Sequence, residues 1–204
     1  MPVATGLTTA SRLLCAWNRG ENDMLTMGII NTYDKIKVLD AHYRAIARAA
    51  PICHAFGFRL ALYDFPFNMT AEELVEYVTD KTTIGESGKY LRLLHDKGHF
   101  FVFDLPKKGF QPQFGTAVVT TSKPEKKRAI TPEDIANGIL RKSSYLLLVG
   151  LGRKGLPREM FEQAPLHLDI TSAGISLETC TAIGCIPAYI MGIVHTRQSS
   201  KAQF

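Results

Sequence analysis

Two glycine-bearing stretches in the last third of the chain have the make-up of ligand-binding loops. Gly150-Leu151-Gly152-Arg153-Lys154-Gly155 follows an apolar run, and Thr171-Ser172-Ala173-Gly174-Ile175-Ser176-Leu177 follows the next one. Small residues let backbone amides approach a bound group closely. If both apolar runs are parallel strands, their loops leave the same end of the sheet, where ligands of α/β proteins gather. Two such loops from adjacent strands can wrap a flat apolar group such as adenine through main-chain hydrogen bonds. The first stretch also spells G-x-G-x-x-G, and Asp169 ends the following strand, which are the letters of a dinucleotide site. Three features oppose that alternative. Too little chain remains for a second mononucleotide half, Pro157 closely follows the motif, and the crossover from Pro157 to Ala164 is too short for the usual helix. A plain glycine turn joining two strands is the remaining alternative.

Other chemistry-bearing residues are less organised. His95 and His99 have the i, i+4 spacing of a metal pair, but Gly98 interrupts the helix and no third ligand is evident, so no metal is expected. Cys53 and His54 are sequence neighbours, whose side chains point apart. Cys180 and Cys185 fall in an apolar helical pattern and read as core.

The elements that would position the loops follow from hydrophobic spacing. Thr26–Ile30 reads as a buried strand; Ile36, Leu39, Tyr43, Ile46, Ala47 and Ala50 then recur at helical intervals until Pro51, the expected stop. Phe58–Tyr63 is a second strand. Thr70 opens a helix to Lys81 with Glu73 as its capping-box partner, and Gly85–Lys97 forms another that ends at Gly98. His99–Phe103 and Thr116–Thr120 are strands, followed by the basic connection Lys123–Arg128. Thr131, Pro132, Glu133 and Asp134 supply a cap, a proline and acids in the order a helix start requires. Tyr145–Val149 and Leu166–Ile170 are the strands before the glycine loops, and Ser176, read as a cap, opens a final apolar helix to Val194 that contains Pro187. Strands alternating with helices imply an α/β fold, a mainly parallel sheet with helices on both faces.

Composition sets the outer bounds. The chain has 204 residues, 46% hydrophobic and 21% charged, which suits one folded domain and excludes a disordered or low-complexity chain. The best candidate for a membrane span, Ile183–Val194, is short and broken by Gly184, Pro187 and Gly192, so no membrane association is expected. Four scattered cysteines, Cys15, Cys53, Cys180 and Cys185, make no disulfide framework and suggest a reducing, cytoplasmic setting. A net charge of +5 permits a polyanionic partner. Residues 1–23 lack hydrophobic periodicity and read as a poorly ordered extension, with Arg12 and Arg19 leaving a transit peptide open. Residues 24–204 then form the single domain.

The stretches Leu147–Pro157 and Leu168–Ile183 resemble the C-terminal motifs of the SPOUT superfamily of RNA methyltransferases. Ala45-Ile46-Ala47-Arg48-Ala49-Ala50, with Phe56–Leu60 behind it, is similar to the N-terminal motif of the branch that methylates ribose 2′-oxygen. The whole also looks like an uncharacterised archaeal SPOUT-like family. The resemblance implies a C-terminal trefoil knot, a homodimer, S-adenosylmethionine as cofactor, and tRNA or rRNA as substrate. It places the cofactor against Leu148, Val149, Gly150, Gly152, Gly155, Ile170, Gly174, Ser176 and Leu177, and assigns Arg48 the catalytic arginine. Three positions depart from the branch pattern: His42 stands for an asparagine, Gly152 for a glutamate, and Glu178 for the asparagine of Ser-Leu-Asn.

Methyl transfer from a sulfonium donor requires alignment and removal of one proton, with no metal. Arg48 stays protonated, so its implied work is to hold a phosphate and steady an ionising hydroxyl. Glu178 is the candidate proton acceptor, with helix capping as its other role. Lys107-Lys108, Lys123–Arg128, Arg141-Lys142 and Arg153-Lys154 are candidate phosphate contacts. A non-catalytic RNA-binding module of the same fold is the main alternative function, and a nicotinamide-dinucleotide enzyme the next.

Overall fold

The computed structural model describes residues 25–81 and 88–201; the expected N-terminal extension lies outside them. Seven strands form one sheet: β1 (Leu25–Asn31), β2 (Arg59–Tyr63), β3 (Phe100–Phe103), β4 (Thr116–Thr120), β5 (Ala129–Ile130), β6 (Tyr145–Leu151) and β7 (Leu166–Leu168). Their order is β3-β2-β1-β6-β4-β7-β5, and every pairing is parallel. The helices are α1 (Asp40–Phe56), α2 (Ala71–Lys81), α3 (Gly88–Asp96), α4 (Pro132–Leu140), α5 (Arg158–Gln163) and α6 (Thr179–Lys201). This is the α/β sheet that the alternating pattern predicts.

The two faces are covered unequally. Leu25, Met27, Ile29, Leu60, Leu62, Leu147 and Val149 point into a core closed by α1, α2, α3, α4 and α6. Their strand neighbours Ile30, Ala61, Tyr63, Leu146 and Leu148 point the other way, onto Phe114, the partly buried Phe101 and Phe103, and Met160 of α5. Successive side chains alternate between faces, so two apolar layers require the near-continuous apolar runs of β1, β2 and β6.

Several expectations need correction. Helix α1 does not stop at Pro51 but runs through it to Phe56. Proline removes one helical hydrogen bond, yet Ala45, Ile46, Ala49, Ala50 and Cys53 bury one continuous stripe across it. The stop comes from Gly57 at φ 71, whose N–H closes on the Cys53 carbonyl. Ile36 and Leu39 precede the helix rather than opening it. The turn before α1 is held by Asp34, whose Oδ1 accepts from the amides of Ile36 and Lys37 at 2.8 and 2.9 Å.

The crossover from β6 to β7 does hold a helix, the six-residue α5, and β5 is a short strand absent from the sequence reading. The strands before the two glycine loops are also not neighbours, because β4 lies between them and pairs with both. Helix α6 passes through Pro187 to Lys201 without a break, long and apolar enough to cross a membrane by length and composition. In this fold Ile183, Ile186, Ile190, Met191 and Val194 bury its inner face in the core, against α1 and α4.

The start of α4 is as expected. Thr131 Oγ1 accepts from the Asp134 amide at 3.1 Å, and Asp134 Oδ2 accepts from the Thr131 amide at 3.2 Å and from its hydroxyl at 2.7 Å. The Thr131 hydroxyl, then its amide, hold the Asp134 carboxyl below the ordinary value. Thr131→Ala should therefore cost about 1 kcal/mol in urea unfolding at neutral pH. The Asp134 contribution is present above the ordinary carboxyl range and is lost as pH falls through its lowered pKa, so the difference between the two proteins should narrow in acid.

Candidate functional site

The carboxyl ends of β1, β4, β6 and β7 surround a cleft of about 710 Å³, within the range of small-molecule sites. Three threonine hydroxyls tie its walls to the end of β6. Thr120 Oγ1 donates to the Leu148 carbonyl at 2.7 Å, Thr179 Oγ1 to that of Gly150 at 2.9 Å, and Thr32 Oγ1 to that of Leu151 at 3.0 Å. The Thr32 amide donates to the same Leu151 oxygen at 3.0 Å. The connection after β1, the end of β4 and the start of α6 are thus fixed to one strand.

The two glycine loops do converge on this cleft. Val149, Gly150, Gly152, Gly155, Ile170, Ser176, Leu177 and Glu178 all line it. Leu148 and Gly174 do not. The Leu148 side chain points to the opposite core layer, and the Gly174 amide donates to Asp169 Oδ2 at 2.8 Å inside its own loop. Gly150 and Gly152 serve the loop itself before any ligand. A Cβ on Gly150 would lie 2.6 Å from the Gly155 carbonyl carbon, so the loop folds back only because this side chain is missing. Gly152, at φ 146, leaves room for Thr32.

Asp169 organises the second loop. Its Oδ1 accepts from the Thr171 amide at 3.0 Å and the Thr171 hydroxyl at 2.7 Å. Burial opposes its ionisation, but the Thr171 hydroxyl and the amides of Gly174, Thr171 and Ser172 outweigh it and hold the carboxyl below its ordinary value. Both oxygens accept hydrogen bonds within the loop, so the first work of Asp169 is to shape that loop.

Ser176 does not cap the last helix. Glu178 does, its Oε2 accepting from the amides of Cys180 at 2.8 Å and Thr181 at 3.3 Å. Arg48 projects from α1 to the same turn, where its Nη1 donates to Cys180 Sγ at 3.3 Å. Contact with Cys180, reinforced by the nearby Glu178 carboxylate, keeps the guanidinium protonated beyond its ordinary range. Arg48 stands beside the cleft rather than in its wall. The basic Arg153 and Lys154 line the cleft, whereas Arg128 is turned inward onto the carbonyls of Phe161, Glu162 and Ala164. Among the described residues no three His, Cys, Asp or Glu side chains gather as metal ligands.

Sequence reasoning missed the walls supplied by Thr120 at the end of β4, by Thr121 and Ser122 after it, and by Tyr33 and Ala41 around the first connection. It also missed Asn31, the fully buried amide at the end of β1. Asn31 Nδ2 donates to the carbonyls of Asp34 at 2.7 Å and Asp64 at 3.0 Å, and its Oδ1 accepts from the Tyr33 amide at 3.1 Å. His42 completes the network. Its Nδ1 accepts from the Leu39 amide at 2.9 Å, which assigns the ring proton to Nε2, donated to Asn31 Oδ1 at 3.2 Å. Burial lowers its pKa from the ordinary value of 6.5, against the opposing pull of the Asp34 main chain and carboxylate.

A model of a family described as "Protein of unknown function (DUF531)" matches residues 25–191. An uncharacterised protein of Methanocaldococcus jannaschii is 51% identical over 166 residues, covering 81% of this chain and 92% of its own. Among solved structures, a probable methylase family protein from Haemophilus influenzae Rd KW20 superposes with a TM-score of 0.57 at 15% identity, over 88% of this chain and 70% of its own. The A. aeolicus TrmH/SpoU tRNA modifying enzyme does so with a TM-score of 0.53 at 16% identity, over 95% and 86%. At this level of identity the likeness is one of fold, the parallel α/β sheet described above.

Two outcomes follow from this geometry. Gly150→Ala should displace the Gly152–Leu156 loop, seen as faster proteolysis within 150–157 and a lowered melting temperature. His42 has a lowered folded pKa, so its contribution is whole above about pH 6.5 and declines as pH falls, because the unfolded chain takes the proton first. His42→Gln should flatten the loss of stability measured between pH 7 and pH 5.

Proposed function

The chain belongs to the family of proteins of unknown function DUF531, and we propose that it is an S-adenosylmethionine-dependent RNA methyltransferase acting on the ribose 2′-oxygen of tRNA or rRNA. The observation that carries the reading is the meeting of the two glycine loops across one cleft, joined by Thr179 Oγ1 on the Gly150 carbonyl. The residues present suit the cofactor. Val149, Ile170 and Leu177 offer apolar surface to an adenine ring, and the looping main chain on either side offers amides and carbonyls to its edge. The fold shared with methylase structures, one of them a tRNA modifying enzyme, supports the same class.

When bound, S-adenosylmethionine supplies the methyl group and the sulfonium leaving group. The chain's own part is alignment and charge. Arg48 holds a substrate phosphate and steadies the ionising ribose hydroxyl. Glu178 fixes the first turn of α6 through Oε2, and Oε1 is the oxygen that takes the hydroxyl proton. Leu148 and Gly174 act through their neighbours, Leu148 by anchoring β6 and Gly174 by closing the Asp169 loop. We include in this reading the C-terminal knot, a homodimer and a cytoplasmic location; the free thiols of Cys53, Cys180 and Cys185 among the described residues accord with the last. A non-catalytic RNA-binding module is the second reading, favoured by the commitment of Glu178 to its helix cap.

Titration calorimetry with S-adenosylmethionine should show saturable binding, and its absence would overturn the proposal. Transfer of labelled methyl to bulk tRNA or rRNA separates enzyme from module. Arg48→Ala should lower kcat/KM by about 10- to 100-fold, the loss of one charge-assisted hydrogen bond. An unchanged rate would remove Arg48 from the reaction.

A further inference from the structure

The connection between β1 and α1 displays apolar side chains that its own hydrogen bonds hold outward. Ile36 is 89% exposed, Tyr33 52% and Leu39 36%. The segment is nonetheless firmly built. Asn31 and His42, both fully buried, pin its two ends, and Asp34 closes the turn between them. Lys35 is paired with Asp64 on the neighbouring connection. The Tyr33 and His42 rings meet in a T-shaped contact, with centroids 5.9 Å apart, and His42 in turn meets Phe65 at 5.6 Å. A pinned loop with an apolar tip is a preorganised binding surface, because the ordering cost is met before any partner arrives.

The position of the loop specifies what it meets. Tyr33 lines the cleft itself, together with Arg153 and Lys154 from the loop after β6. Lys35 and Lys37 flank Ile36 on the exposed side. An aromatic face set among cations at the rim of the cleft complements an unstacked base with its flanking phosphates. A base inside a duplex has both faces covered and cannot reach such a ring.

We propose that the Tyr33–Leu39 loop is the platform on which an unpaired nucleotide of RNA docks, its base stacked on Tyr33 and its backbone met by Lys37, Arg153 and Lys154. The substrate class is therefore single-stranded or looped RNA rather than duplex. The inference rests on the RNA-methyltransferase reading of the cleft.

The test is fluorescence anisotropy of the full chain with a labelled single-stranded RNA dodecamer, free and annealed to its complement, over a salt series. The wild-type protein should bind the single strand and lose it on annealing. Tyr33→Ala should weaken binding at least about fivefold, the scale of one base–aromatic stack, with an unchanged salt slope, and Tyr33→Phe should restore it. Lys37→Ala should instead reduce the slope by about 0.7, the value for one single-strand phosphate. Equal affinity of Tyr33→Ala and wild type, or undiminished binding of the duplex, would overturn the platform while leaving the parent reading in place. Failure to bind either the RNA or S-adenosylmethionine would overturn both. Light scattering supplies the last arm: a dimer that falls apart on Ile36→Ser would assign the loop to a second copy of the chain and overturn the proposal.

Discussion

The site depends on how the end of β6 is satisfied. A strand that stops inside a protein leaves carbonyls that must find donors. Here Thr120, Thr179 and Thr32 give their hydroxyls to Leu148, Gly150 and Leu151. Each donor belongs to a different part of the chain, so the same three hydrogen bonds that complete the strand also bring β4, α6 and the first connection around one space. Two centrally placed neighbours, β1 and β4, fix the direction in which those carbonyls point.

The glycines acquire a second meaning from this arrangement. Read as letters, they invite a ligand to approach the backbone. In the fold, Gly150 first lets the loop return over itself and Gly152 first admits Thr32. The cleft exists because the loop is folded back tightly enough to leave room beside it. Asp169 does for the second loop what Gly150 does for the first, by hydrogen bonding rather than by an omitted side chain.

Most strands and the starts of α2 and α4 were legible in the chain, because β1, β2, β4 and β6 are apolar runs and Thr70, Glu73, Thr131 and Asp134 are local signals read within four residues. What was not legible depends on long-range pairing. No local pattern says that β4 inserts between β6 and β7, which decides where Thr121 and Ser122 stand. Pro51 looked like a terminator, since the stripe it interrupts is visible only once α1 lies on the sheet. Ser176 looked like a cap until Glu178, with its longer reach, took the amides. Of the nine candidate cofactor contacts, the seven that line the cleft were legible as loop residues next to strand ends. Asn31 and His42 were not, because a buried polar pair carries no periodicity of its own.

The cleft draws one wall from the first strand's exit and another from the last helix, with nearly the whole domain threaded between them. A chain still emerging from the ribosome, or one cut short before Thr179, has no such space to offer. Occupancy of the cleft is thus a property of the finished chain, and any ligand held there couples to the global folding equilibrium rather than to a local opening. Ligand supply would then govern how long the protein survives proteolysis.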